Sequence, residues 1–260
     1  MQRSTGRLLG IMLVVVVTGV LIARSYYGRQ NRSVDPRIKH ARELYEQYDR
    51  LTQSGDFYRV SALLDSISLI YEGIPHYKSS FELGVLHNNR AAMLLTLALY
   101  GDSIADSLNP YSACTNDSII FLAELHVNEA IAIYHNWNRR FGGKDEQEIR
   151  QSMEAEFREG LGEPDPALTE NYILNRIKEI QNSLVENQRR LSVCHTNLGL
   201  VYRLRGHHAE AVGQYEKAIA LWDRNLEAEN NLNRLLGKPL KKRNIIQKLF
   251  PPNRDISSKK

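Results

Sequence analysis

Between Ser192 and Asn225 the chain reads SVCHTNLGLVYRLRGHHAEAVGQYEKAIALWDRN, and two apolar periodicities of helical spacing meet there at Arg205-Gly206. The first carries Leu198, Val201, Tyr202 and Leu204, and the second carries Ala211, Val212, Tyr215, Ala218, Ile219 and Trp222. Two helices of similar length around a glycine must fold back on each other as an antiparallel pair. Gly199 and Ala211 lack bulk where the axes approach, so the backbones can come closer than two leucines would allow. Tyr202, Tyr215 and Trp222 fill the space beside that contact.

The spacing of Leu198-Gly199, Tyr202, Gly206, Ala211, Tyr215 and Ala218 resembles the tetratricopeptide repeat (TPR) family. His195 stands where an early Trp is usual, and Asp223 stands near the usual terminal Pro. The resemblance implies an all-α fold of TPR-like antiparallel helix pairs stacked as a short solenoid, with a concave face lined mainly by first helices. It assigns repeat packing to Leu198, Gly199, Tyr202, Ala211, Tyr215 and Ala218. Partner binding falls to Asn88, Ala92, Thr196, Leu200 and Arg203. Members that grip chaperone C-terminal carboxylates use a Lys and an Asn, and here Tyr45 and Asp49 occupy those places, which disfavours that activity.

The same reading extends along residues 36–237. Asp35-Pro36 supplies a capping side chain and a ring suited to a first helical turn, followed by the stripe Ile38, Ala41, Leu44, Tyr45, Tyr48, Leu51. Ser54-Gly55-Asp56 turns the chain into a second stripe from Val60 to Tyr71. A helix around residues 77–100 resembles a first repeat helix, and its partner, with Ala123, Val127 and Ala130, follows an insert at 101–117 that reads as a contact element or a disordered loop. Lys144 to Gly160 carries only Ile149, Met153 and Phe157 as an apolar line and is expected to lie on the surface. From Asp165-Pro166 no breaker appears until Gly206, which predicts one long helix over 166–204 that ends in the clearest repeat, 192–225. Ile173, Ile177, Ile180, Leu184, Asn187, Leu191, Cys194, Leu198 and Val201 make a heptad stripe on it, so a homodimer through 173–201 is an alternative to packing within the chain.

Outside this body, residues 1–7 form a short basic tail. Residues 8–27 include LLGIMLVVVVTGVLIA and read as a transmembrane helix with Tyr26-Tyr27 at the interface. No small residue stands two places before Ala23, so the segment reads as an uncleaved anchor rather than a signal peptide. A linker covers 28–35, and 238–260 is a basic tail with Ile245, Ile246, Leu249 and Phe250 in it. Met1–Lys39 and Leu240–Lys260 each hold seven Lys or Arg against one acid, so a total of +4 leaves the body at about −8 by the same count. That disfavours nucleic acid, because an acidic body repels phosphates.

Two cysteines, Cys114 and Cys194, do not make a disulfide framework, and a bridge between them requires an oxidising compartment. No phosphate loop, metal-ligand spacing or nucleophile–base arrangement is present, and His207-His208 point about 100° apart on a helix. No cofactor and no metal are expected. The expected function is a membrane-anchored scaffold or adaptor for unidentified protein partners at a bacterial-type inner membrane, without catalysis. The charge count favours a cytoplasmic body, a periplasmic body being the alternative.

Overall fold

The computed structural model describes residues 34–162 and 165–242. These residues form an all-α structure with no strand among them. The anchor predicted at 8–27, the tail 1–7, most of the linker 28–35 and residues 243–260 of the basic tail lie outside the described residues. Among the described residues no helix is long and apolar enough to cross a membrane.

Asp35 and Pro36 open the described chain as their chemistry requires. The Asp35 carboxylate accepts from the Arg37 backbone N–H at 3.0 Å, and Pro36 begins a single 3-10 turn, Pro36–Ile38. The stripe that follows is split rather than continuous, into α1 (Lys39–Tyr45) and α2 (Tyr48–Ser54). A tight bond from Gln47 N–H to Leu44 C=O separates them and sets the Tyr45 and Tyr48 rings in a parallel stack at 5.6 Å. Gly55, at φ 72°, supplies the left-handed residue that ends α2, and Asp56 caps α3 (Phe57–Glu72).

Helix α4 (Phe81–Tyr100) and helix α5 (Asn116–Phe141) form the central antiparallel pair. The segment joining them is built from two short 3-10 turns, Gly101–Ser103 and Asp106–Leu108, folded around a cavity of about 260 Å³. Helix α6 (Glu146–Arg158) has a reciprocal capping box between Asp145 and Glu148. It buries only Ile149, Met153 and Phe157, a strip too narrow for more than one-sided packing. Helix α7 (Pro166–Leu204) runs unbroken for 39 residues. Gly206, at φ 77°, turns it into α8 (His208–Leu221), and α9 (Leu226–Leu235) closes the end.

One hydrophobic core extends from Ile38 to Val201, with Trp137, Tyr134, Phe141 and Phe157 among its largest members. Eight of the nine residues of the heptad stripe on α7 belong to it or pack against it, and the ninth, Asn187, is buried at 1% exposure, so the stripe is taken up inside the chain. A buried ionic cluster ties the elements together. Arg176 of α7, 2% exposed, donates through Nε to His76 Nε2 at 3.0 Å and through Nη1 to Glu82 at 2.5 Å, over the faces of Tyr77 and Trp137. Both cysteines are free, with Cys114 exposed and Cys194 buried.

Candidate partner-binding surface

A tyrosine over a glycine closes each of two helix pairs. A Cβ placed on Gly199 of α7 would meet the Tyr215 ring of α8 at 2.5 Å, and one on Gly84 of α4 would meet the Tyr134 ring of α5 at 2.7 Å. Both rings are fully buried. Around the first contact, Ala211 and Ala218 are fully buried, Leu198 is nearly so, and Tyr202 lies at the edge, half-buried. The contact at Gly84 is not read from the sequence, although it continues the spacing of Ala91 and Val127 by seven residues on each helix. The signal is masked because Phe81, Leu83, Val85 and Leu86 around Gly84 do not define one apolar face.

Helices α1, α4 and α7 are linked by hydrogen bonds. Asn89 Nδ2 of α4 donates to Tyr45 Oη of α1 at 2.9 Å. Asn88 Oδ1 of α4 accepts from Asn197 Nδ2 of α7 at 2.9 Å and from Cys194 Sγ at 3.3 Å. Burial pushes the Cys194 thiol up to about 12, so it stays protonated and serves as a donor.

The five residues assigned to partner binding divide by burial. Asn88 and Thr196 are buried at 6% and 2%, with their polar atoms used inside the chain. Thr196 Oγ1 donates to Ser192 C=O and accepts from Asn225 Nδ2, which also donates to Ser192 Oγ. Ala92, Leu200 and Arg203 are half-buried. Arg203 Nη1 reaches Asn231 Oδ1 of α9 only at 3.5 Å, a weak contact that leaves the guanidinium available. Ala92, Leu200 and Arg203 are thus the three of the five with exposed area, while Asn88 and Thr196 tie helices together beneath the surface. Asn197, Asn89 and Asn225 are parts of this arrangement that sequence spacing does not single out, because an asparagine on a helix reads as solvated until its partner is known.

A histidine pair lies on another side of the α4–α5 contact. His87 Nδ1 and His126 Nδ1 are 3.0 Å apart, so one neutral ring donates and the other accepts. Burial lowers both, His126 to about 4 with the neighbouring His87 charge adding to it. His195 Nδ1 bonds Gln214 Oε1 at 2.8 Å. Among the described residues no group of three or more His, Cys, Asp or Glu is placed to hold a metal ion, and His207 and His208 are exposed. No family model, curated protein or solved structure matches the chain.

Proposed function

We propose that the protein is a single-pass membrane scaffold or adaptor whose TPR-like helix pairs hold a protein partner at a bacterial-type inner membrane. Residues 8–27 are its anchor, and the charge count after them favours a cytoplasmic body. The observation that carries the reading is the run of first helices α1, α4 and α7 joined through Tyr45–Asn89 and Asn88–Asn197, with Ala92, Leu200 and Arg203 half-exposed beside the joins. Such a face is rigid because its polar atoms are fixed by each other, and rigid faces lose little conformational freedom on binding. The tyrosine-on-glycine closures support the repeat reading, since each lets a helix pair close to a short axial distance.

The test is cross-linked recovery of partners from membranes with the full chain and with Ala92→Arg, Leu200→Glu and Arg203→Glu combined. Selective loss of one or a few proteins from the recovered set is expected. An unchanged set, with the variant folded and in the membrane, would remove this face from consideration. A reporter fused after Lys260 reads the side of the membrane on which the body lies. No observation favours dimerisation through 173–201, because that stripe faces the chain's own core.

A further inference from the structure

The insert that joins α4 to α5 is folded, and it walls a cavity. Ile104 and Tyr111 of the insert pack against the core, and its turn Asp106–Leu108 lies against α3. The cavity lies between this insert, the end of α4 and the start of α5. Buried Leu97 of α4 and Ile119 of α5 form an apolar part of the wall, while Asp102, Asp106, Asn109, Cys114 and Asn116 bring polar groups to it. Its volume of about 260 Å³ falls just below the ~300–1,000 Å³ of pockets that hold a drug-sized ligand, so it suits one side chain and the backbone next to it.

Two independent observations define what would complete this cavity. Asp102 and Asp106 are exposed on its wall, and neither has an ion-pair partner among the described residues. No Lys, Arg or His lines the cavity, so the two negative charges are uncompensated there. The second observation is Asn109, 7% exposed, whose Oδ1 accepts from the Tyr111 backbone N–H at 2.9 Å. That bond fixes the amide, and Nδ2, in the wall beside Gly101, has no acceptor among the described residues. Unlike the sealed hydroxyls of Tyr134 and Tyr215, Nδ2 keeps accessible surface, so an occupant of the cavity can reach it. A metal ion is the poorer match, because among the described residues no third His, Cys, Asp or Glu joins the two carboxylates.

A cation that also brings an acceptor satisfies both observations. Lys and Arg carry their charge on a long apolar stem, which suits Leu97 and Ile119, and the peptide bond beside either residue supplies a carbonyl. We propose that the cavity receives one Lys or Arg side chain of the partner, its charge on Asp102 and Asp106 and a neighbouring backbone carbonyl on Asn109 Nδ2. The inference rests on the partner-binding reading above. The body's formal charge of about −8 favours a basic partner in the same sense. The Glu124–Arg205 ion pair holds the C-terminal end of α7 against the N-terminal half of α5, so the cavity lies toward the same end of the molecule as Leu200 and Arg203.

Cys114 lines the cavity and is exposed, whereas Cys194 is buried with its thiol pushed up to about 12. Alkylation of the full chain in detergent by uncharged iodoacetamide therefore reads Cys114. Its rate is measured with Nα-acetyl-lysine N-methylamide, with the arginine and norleucine counterparts, and with butylammonium, all at one ionic strength. The lysine or arginine probe is expected to slow alkylation saturably, by about threefold at twice its Kd, while the norleucine probe leaves it unchanged. Butylammonium needs a higher concentration for the same protection, since it brings no carbonyl to Asn109. Asp102→Asn combined with Asp106→Asn, both at exposed positions, raises the half-protecting concentration by about tenfold. Slowing by only one of the two cations identifies the side chain received. Equal slowing by norleucine, no slowing by either cation, equal potency of butylammonium, or an unchanged half-protecting concentration in the double variant would overturn the assignment. Failure here leaves the partner-recovery experiment on Ala92, Leu200 and Arg203 to stand or fall separately.

Discussion

At the scale of single residues, space rather than chemical type decides what a position tolerates. Gly199 of α7 and Gly213 of α8 are both helical glycines, yet a Cβ on Gly199 runs into the Tyr215 ring while one on Gly213 meets nothing within 4 Å. Gly199→Leu is therefore expected to destabilise by about 1–3 kcal/mol or more through overpacking. Gly213→Ala is expected to stabilise by about 0.5–1 kcal/mol, because it restricts the unfolded chain and adds helix propensity. Chemical denaturation of the two variants checks both signs, and a neutral Gly199→Leu would contradict the close approach of α7 and α8. The sequence singles out Gly199 through its spacing but is silent on Gly84, whose role depends on a tyrosine fifty residues away.

Between elements, the α4–α5 contact carries the clearest pH dependence. His87 and His126 can bond each other until both are protonated, and burial lowers both below the ordinary value, His126 to about 4. The unfolded chain then binds more protons than the folded one as pH falls from about 6.5, so stability is present above that value and is lost on acidification through the folded values. His76, which accepts from Arg176 and is lowered to about 2 by burial and by the arginines around it, acts in the same direction. His126→Gln keeps a hydrogen-bonding partner for His87 and does not titrate. The loss of stability between pH 7 and pH 5 should accordingly be smaller in His126→Gln than in the wild type, read from urea midpoints at each pH. Equal slopes would mean that the pair does not respond to protons. Below about pH 4.5 carboxylates such as Glu82 join in, so the histidine share is read above that point.

For the molecule as a whole, Arg176 is the tie between elements distant in sequence. It joins α7 to Glu82 of α4 and to His76 in the turn after α3, and lies on Tyr77 and Trp137. Burial alone would raise the Glu82 carboxyl, and the charge and hydrogen bonds of Arg176 outweigh it and hold it below the ordinary range. Arg176→Leu leaves that carboxylate without its partner and should cost about 3–5 kcal/mol, measured by thermal or urea unfolding. A loss below about 1 kcal/mol would show the cluster to be ornamental to stability. The all-α class and many of the helix ends were legible in the residues themselves, because Asp35-Pro36, Gly55-Asp56, Asp165-Pro166 and Gly206 act through local backbone chemistry that needs no partner. Only the tertiary structure decided that Asn88 and Thr196 are buried ties, that Tyr134 covers Gly84 and that the heptad stripe faces inward. Each of those facts depends on which side chain arrives from another helix, and a hydrogen bond or a van der Waals contact between distant residues leaves no periodic mark on either one.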